Sequence, residues 1–209
     1  MGKTFRRRPS IRSQYRRFLI VSEGEVTERE YLDAVRRARR IRSASIVFMP
    51  PGPTSPVEIV ERARDLRNHA RRIDPFDDVW CIFDAEAKVD QRARPRLSDA
   101  IQMARDNDIN VALSNPCIEL WILLHEQDQE AAIHSHAAQH LCSKLGLIDK
   151  KHISTPDHLL DRYQAARARA EGLDCKHERD GRVCVVDCNP ASGIYKLVDS
   201  IYLAFPAPG

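Results

Sequence analysis

The chain has 209 residues, of which 43% are hydrophobic and 30% are charged, and its formal net charge is +3. These values are those of a soluble globular protein that is long enough for one sizeable α/β domain. No apolar run approaches the ~20 residues of a membrane helix, and no apolar segment with a cleavage site follows the basic start, which predicts a cytoplasmic protein without a membrane partner.

The first 17 residues carry seven positive charges and no acidic residue, and they are predicted to form a basic arm. Lysine and arginine side chains that reach phosphates release counterions, so this arm is a candidate contact for nucleic acid. A solvated terminus with no binding role is the alternative. The arginines assigned to the nucleic-acid contact are Arg6, Arg7, Arg8, Arg12, Arg16 and Arg17.

Strands and helices alternate through the first part of the chain. Short apolar runs at residues 18–21, 45–49, 78–84 and 109–114 predict strands, and helices are predicted after residue 27, after residue 56 and around 100–105. Capping boxes predict two of the helix starts, one formed by Thr27 and Glu30 and one by Ser55 and Glu58. This alternation is typical of a parallel sheet with right-handed crossovers.

The chain becomes mostly helical after about residue 127. Helices are predicted at 131–145, 156–171 and 191–205, with a polar loop at 172–181 and a candidate strand at 182–186. Before this part, Asn115 and Pro116 predict the cap and first position of a helix. We therefore predict three parts: the basic arm at 1–17, an α/β core at 18–126, and a helical C-terminal part at 127–209 packed on the core.

Carboxylates follow two of the predicted strands. Glu23 ends the first strand, Asp84 ends the third, and Glu86 projects to the same side as Asp84. The carboxyl ends of parallel strands share one edge of the sheet, where ligands bind. Acids that converge there repel one another unless a divalent cation neutralises them, and oxygen ligands suit magnesium or manganese. Each acid taken alone is more typical of a helix cap than of a metal ligand, and Glu28 in a first helical turn is typical of a partner of the helix dipole.

Four segments of the chain, in order, resemble the RloB-like family of bacterial antiviral proteins: IVSEGEVTEREYL, VWCIFDAEAKVD, SNPCIELWILLH and NPASGIYKLVDSI. The acids of the first two segments are also similar to those of the TOPRIM fold, which topoisomerases, primases and OLD-family nucleases share. The resemblance runs from about residue 18 to residue 202. It implies a TOPRIM-like parallel sheet flanked by helices, magnesium-dependent nuclease activity in abortive infection, and an AAA-type ATPase encoded nearby.

The resemblance also implies roles for five acids. Glu23 corresponds to the TOPRIM glutamate, Glu28 to the second acid of EGEVTE, and Asp84 with Glu86 to the acidic pair. Glu86 stands where the usual pattern has aspartate. Glu119 corresponds to the acid of the third segment, and it either joins the same crevice or forms a buried ion pair with an arginine.

The hypothesis from the sequence is metal-assisted phosphodiester hydrolysis. Asp84 and Glu86 hold Mg²⁺ or Mn²⁺, and Glu23 completes the coordination or acts as a general base. Glu28 and Glu119 complete the set of candidate ligands and allow a second ion. The expected substrate is nucleic acid, with DNA, RNA and transfer RNA as candidates.

Two alternatives remain open at this point. Lys88, just past the acidic pair, either steadies developing negative charge or is a solvated surface lysine. The whole chain is either the nuclease or a non-catalytic TOPRIM-like subunit that docks an ATPase partner or binds nucleic acid. Metal-dependent cleavage that is lost in Asp84→Ala distinguishes the nuclease from the non-catalytic subunit.

Overall fold

A mixed sheet lies at the centre of the computed structural model, which describes residues 16–24, 26–48, 55–85, 93–182 and 185–206. Its strands are β1 (Phe18–Ser22), β2 (Ile46–Phe48), β3 (Asp78–Asp84), β4 (Asn110–Asn115) and β7 (Ala191–Ser192). They lie in the order β2-β1-β3-β4-β7, in which β1 to β4 are parallel and β7 is antiparallel to β4. The predicted α/β class with a mostly parallel sheet is confirmed, and it is consistent with a TOPRIM-like fold.

Helices flank this sheet and make up most of the second half of the chain. They are α1 (Thr27–Ala38), α2 (Pro56–Ala70), α3 (Ala93–Asp106), α4 (Ile118–Leu124), α5 (Ser135–Lys144), α6 (Pro156–Asp161), α7 (Tyr163–Arg179) and α8 (Ile194–Ala204). A small hairpin, β5 (Ile148–Asp149) and β6 (His152–Ile153), lies between α5 and α6, and single 3-10 turns occupy Ser43–Ser45 and Val185–Asp187. Within the described ranges, no helix has the length and apolar character needed to cross a membrane.

The sheet separates two hydrophobic cores. Successive side chains of a strand point to opposite faces, so Phe18 and Ile20 enter one core while Leu19 and Val21 enter the other. The larger core packs the sheet against α1, α4, α5, α7 and α8, and the smaller core packs it against α2 and α3. Both faces are covered, which explains why β1 and β3 are apolar on both faces between their end residues.

The two predicted capping boxes have different outcomes. The box of Ser55 and Glu58 is confirmed, because the Ser55 hydroxyl accepts from the Glu58 N–H and the Glu58 carboxylate accepts from the Ser55 N–H. The box of Thr27 and Glu30 is wrong. The N-cap of α1 is Val26, and no side chain caps this helix. Both Thr27 and Glu30 instead bond to the hairpin of β5 and β6.

The start of α4 also differs from the prediction. Asn115 is the last residue of β4, and the peptide bond from Asn115 to Pro116 is cis. Helix α4 begins only at Ile118, with Cys117 as its N-cap. The Asn115 side chain is buried, and it is bonded to Asn189; we call this pair of side chains the clasp. Asn189 donates to Asn115 Oδ1 at 3.1 Å, and Asn115 donates to the Val186 carbonyl at 3.0 Å.

Helical boundaries in the C-terminal part are corrected at four places. The predicted helix at 191–205 begins only at Ile194, because Ala191 and Ser192 form β7. The predicted helix at 131–145 begins only at Ser135, and the helix at 156–171 is divided at Arg162 into α6 and α7. The predicted loop at 172–181 is helical as far as Arg179, because Gly172 sits inside α7. In the candidate strand at 182–186, residues 183 and 184 lie outside the described residues, and Val185 begins a 3-10 turn.

Candidate metal centre

The carboxyl ends of β1 and β3 bring two of the predicted acids to the same edge of the sheet. Ser22 lies opposite Ile82 in the parallel register, and the Glu23 N–H donates to the Ile82 carbonyl at 3.3 Å. Asp84 is the last residue of β3. It follows Trp80 and Ile82 in the row of side chains that faces the larger core, so it points toward the side of the sheet that α1 and α4 cover.

Asp84 has an environment that disfavours its charge. Its Oδ1 atom is buried and has no hydrogen-bond partner among the described residues. Burial raises the pKa of this carboxyl well above its usual range, and the neighbouring charges of Glu28 and Glu119 raise it further. The backbone N–H of Ile118, at the start of α4, donates a hydrogen bond that counteracts this pKa rise. A buried carboxylate oxygen without a donor is costly unless a cation binds to it.

Glu28 lies beside Asp84 and is packed against the backbone of Gly24. A Cβ atom added at Gly24 would collide with the Glu28 carboxylate, so this close approach requires glycine. The turn is shaped by Ser22, whose hydroxyl donates to the Gly24 carbonyl at 2.8 Å. Only 7% of Glu28 is exposed, and burial is the main cause of its raised pKa, with further increases from the charges of Glu119 and Glu23.

Glu119 completes the group from the first turn of α4, where it is 6% exposed. The Cys117 thiol forms a hydrogen bond with its carboxylate, and burial followed by the Glu119 charge raises the pKa of this thiol, so it remains a protonated donor. Among the residues that the structure describes, Glu119 has no ion pair with an arginine. Of the two alternatives from the sequence, its position therefore favours membership of the crevice. We call Glu23, Glu28, Asp84 and Glu119 the carboxylate cluster.

The donor set of this cluster fits a hard divalent cation. Its donors are carboxylate oxygens, and Glu28, Asp84 and Glu119 form no ion pair within the described residues. The four side chains do not surround a common coordination point. Among the described residues, no three Asp, Glu, His or Cys side chains are close enough together to hold a metal ion. The orphaned Asp84 oxygen and the raised pKa values of Asp84 and Glu28 are the observations that fit a cation.

Several predicted site residues lie outside the described residues, namely Glu86, Lys88, Arg6, Arg7, Arg8 and Arg12. Arg16 and Arg17 are described. They lie at the amino end of β1, whereas the cluster lies at the carboxyl edge of the sheet. Arg16 forms an ion pair with Asp78 at 2.8 Å, and Arg17 forms one with Asp74 at 3.0 Å and stacks on Phe76. Their contact with nucleic acid stays a prediction.

Sequence reasoning missed a basic element beside the cluster. The turn between β5 and β6 consists of Lys150 and Lys151, and the charge of Lys151 partly opposes the rise in the pKa of Glu28. Two apolar positions flank the pair in IDKKHI, but each strand has only two residues, and the turn lacks the Asn-Gly or Asp-Gly signal of a tight hairpin. The one usable signal was the pair of adjacent lysines.

Comparison with known proteins identifies a family. A family model described as RloB-like protein matches residues 18–201. The match spans most of the chain and includes every member of the carboxylate cluster. No curated protein matches the chain.

Proposed function

The chain belongs to the RloB-like family, and from that premise we propose that it is a metal-dependent nuclease that hydrolyses phosphodiester bonds in nucleic acid. The observation that carries the proposal is the buried Asp84 oxygen that has no hydrogen-bond partner among the described residues, within a cluster of four carboxylates. Like charges gathered in this way repel one another, and a divalent cation removes the repulsion.

Each carboxylate has a role that follows from its exposure. Asp84, Glu28 and Glu119 would hold Mg²⁺ or Mn²⁺ together with Glu86, which remains a proposed ligand. The bound cation supplies Lewis acidity toward a phosphate oxygen and toward water. Glu23 is exposed at the mouth of the cluster, so it is placed either to complete the coordination or to accept a proton from water as the general base.

The biological setting of the proposal comes from the family resemblance. We propose that the activity serves antiphage defence by abortive infection in the cytoplasm, and that an AAA-type ATPase encoded nearby is the partner. A nuclease of this kind is toxic to its own cell, which supports restraint by such a partner. The competing proposal is a non-catalytic subunit that docks the ATPase or binds nucleic acid.

The test combines cleavage with direct metal binding. Purified protein is incubated with labelled single-stranded DNA, duplex DNA and total transfer RNA, with Mg²⁺, Mn²⁺ or a chelator, and Mn²⁺ binding is measured by calorimetry. We expect metal-dependent cleavage products, and the nucleic acid that yields them identifies the substrate. We expect Asp84→Asn, which keeps the shape of the side chain and removes its charge, to lose both cleavage and Mn²⁺ binding.

The matched control is Asp99→Asn, which removes an exposed aspartate of α3. It should retain cleavage and Mn²⁺ binding. Mn²⁺ binding without cleavage of any substrate, also after addition of the ATPase, would favour the non-catalytic subunit. Absence of both metal binding and cleavage in the wild-type protein would contradict the proposed metal centre.

A further inference from the structure

The hairpin of β5 and β6 presents two lysines on a very short turn. Ile148 pairs with Ile153 and Asp149 pairs with His152, so the turn consists of Lys150 and Lys151 alone. We call residues 148–153 the lysine hairpin. Lys150 has a φ of 58°, a left-handed conformation that favours glycine or asparagine over a long side chain. The chain therefore keeps a lysine where turn chemistry alone favours another residue.

The lysine hairpin is fastened to α1 at positions that flank Glu28. The Thr27 hydroxyl donates to the Lys151 carbonyl at 2.7 Å. One Glu30 oxygen accepts from the Ile153 N–H at 2.7 Å, and the other lies 2.7 Å from His152 Nδ1. Thr27 and Glu30 belong to the same helical turn as Glu28, so these bonds hold the tip of the hairpin beside the carboxylate cluster.

The charges at the tip are available to a ligand. Lys150 and Lys151 are both exposed, and neither forms an ion pair with a described residue. The charge of Lys151 acts on the Glu28 carboxylate, which agrees with the hydrogen bonds in placing the lysine near the cluster. A cluster of carboxylates repels a polyanion, so a nucleic-acid backbone needs a cationic contact at the rim to approach the acids.

We infer that Lys150 and Lys151 form a phosphate-contacting element that holds the backbone of a nucleic acid against the carboxylate cluster. Two adjacent ammonium groups on a fastened turn suit contact with successive phosphates, and such contacts carry no base sequence. The inference rests on the proposed function for its substrate class. It differs from that function in assigning a binding role to residues outside the acids.

The test measures nucleic-acid binding apart from cleavage. Fluorescein-labelled single-stranded and duplex oligonucleotides, of DNA and of RNA, are titrated with full-length protein in a chelator, and anisotropy is followed over a range of KCl concentrations. We expect Lys150→Ala/Lys151→Ala to weaken binding and to reduce the slope of log K against log salt by about 0.7 per lysine on single strands and about 0.9 on duplex DNA.

Three variants separate charge from folding. Lys150→Arg/Lys151→Arg keeps both charges and should retain the wild-type affinity and salt slope. Lys150→Gly relieves the left-handed backbone, so it should keep the melting temperature or raise it while still losing one phosphate contact. Lys176→Ala removes a lysine of α7 that forms an ion pair with Glu130, and it should leave binding unchanged.

The outcomes distinguish this inference from the proposed function. Wild-type protein that cleaves with Mg²⁺, while the double alanine variant keeps its affinity and salt slope, overturns the lysine hairpin alone. Loss of binding in the double alanine variant and its retention in the arginine variant support the inference, whether or not cleavage is seen. Wild-type protein that neither binds nor cleaves any of the nucleic acids overturns both.

Discussion

At the scale of single residues, Gly24 determines where the Glu28 carboxylate lies. The carboxylate occupies the space that a side chain at position 24 would need, and both residues belong to the EGEVTE segment. Gly24 has no positive φ, so its backbone conformation does not call for glycine. The reason for a glycine at this position is the close approach of the Glu28 carboxylate. Sequence reasoning recognised the acids of this segment but not the reason for its glycine.

We predict that Gly24→Ala impairs the metal centre more than the fold. The new Cβ must displace the Glu28 carboxylate, which is the far end of a flexible side chain, so the melting temperature should change little. Mn²⁺ affinity and the cleavage rate should both fall about tenfold. This factor corresponds to the loss of about 1.4 kcal/mol of interaction with one displaced ligand. Calorimetry with Mn²⁺ and thermal unfolding of the same preparation provide the two measurements.

Gly172→Ala is the matched control for this substitution. Gly172 lies inside α7 with open space around the position of a Cβ, so alanine should stabilise the protein by about 0.5–1 kcal/mol. Its Mn²⁺ binding should remain that of the wild type. If Gly24→Ala bound Mn²⁺ as tightly as Gly172→Ala does, the Glu28 carboxylate would not be a ligand.

We predict that Asp84→Asn raises stability in the absence of metal. The substitution removes one of the mutually repelling charges, and each 1 kcal/mol gained corresponds to about 2–4 °C in melting temperature for a chain of this size. Mg²⁺ should raise the melting temperature of the wild-type protein, because it binds the folded state, and should have no effect on Asp84→Asn. A lower melting temperature for the metal-free variant would show that Asp84 serves the fold.

At the scale of elements, the clasp between Asn115 and Asn189 fixes the end of β4 against the segment that precedes β7. Asn189 Oδ1 accepts from the Ile133 N–H at 2.9 Å, and its amide donates to the Ile133 carbonyl and to Asn115. The same end of β4 supports the cluster, since the Ser114 carbonyl accepts from the Ala85 N–H at 2.7 Å. The clasp thus positions α4, and with it Glu119.

We predict that Asn189→Ala destabilises the protein by about 2–3 kcal/mol, because it removes three hydrogen bonds and leaves partly buried partners without them. Urea unfolding followed by circular dichroism measures the change. Asn107→Ala is the comparison, since the Asn107 amide makes one bond, to the Met103 carbonyl, and its loss should cost about 1 kcal/mol. Equal costs for the two variants would mean that the clasp contributes nothing beyond a single bond.

The elements also show what the sequence could and could not predict. The four parallel strands and the helices between them follow from apolar runs and helical periodicity, which are local signals. The hairpin of β5 and β6 and the strand β7 have two residues each, too few for a period to be visible. Gly172 and the polar residues around it indicated a loop, but α7 continues there because Leu173 and His177 are buried against its neighbours.

The candidate site was predictable in its acids because parallel strands share a carboxyl edge. Glu23 and Asp84 come together for that reason, and Glu28 and Glu119 follow from the family resemblance. The lysines were not predictable, since they lie more than 120 positions beyond the segment that they contact. Thr27 and Glu30 were misread because a helical capping box and a tertiary anchor use the same side chains.

At the scale of the whole molecule, the larger core encloses a histidine that must stay neutral. His125 is 1% exposed. The distance from its Nδ1 to the Trp121 carbonyl is 2.9 Å, so Nδ1 carries the proton, and Nε2 is left to accept from the Tyr31 hydroxyl at 3.2 Å. Burial lowers the pKa of His125 to about 4 from its usual 6.5.

We predict that this ring contributes a loss of stability in acid, against the opposite contribution of the raised pKa values of Asp84 and Glu28, so its share is the difference between wild type and His125→Asn. The unfolded chain binds a proton near pH 6.5 and the folded chain only near pH 4, so the contribution of His125 is complete above pH 6.5. It is lost as the pH falls from 6.5 to 4, by about 3 kcal/mol. Urea unfolding at intervals of pH measures the change.

The controls for this pH dependence are two asparagine variants. His125→Asn should be less stable at neutral pH, and its stability should change less between pH 6.5 and 4. His134→Asn, which alters an exposed histidine before α5, should keep the wild-type pH profile. A wild-type profile in His125→Asn would assign the acid sensitivity to other groups.

The anchoring of the lysine hairpin by Thr27 and Glu30 has a consequence for how relatives of this protein diverge. These two residues bond to positions 124 and 123 places further along the chain, whereas Glu28 between them faces the acids. Thr27 and Glu30 bond to backbone atoms of the hairpin and to the His152 side chain, so substitutions at 27 and 30 should accompany changes in hairpin length or at position 152 and be independent of the acids. A lineage that shortened the hairpin would be free to lose Thr27 and Glu30, yet it would still have to keep Gly24 and Glu28.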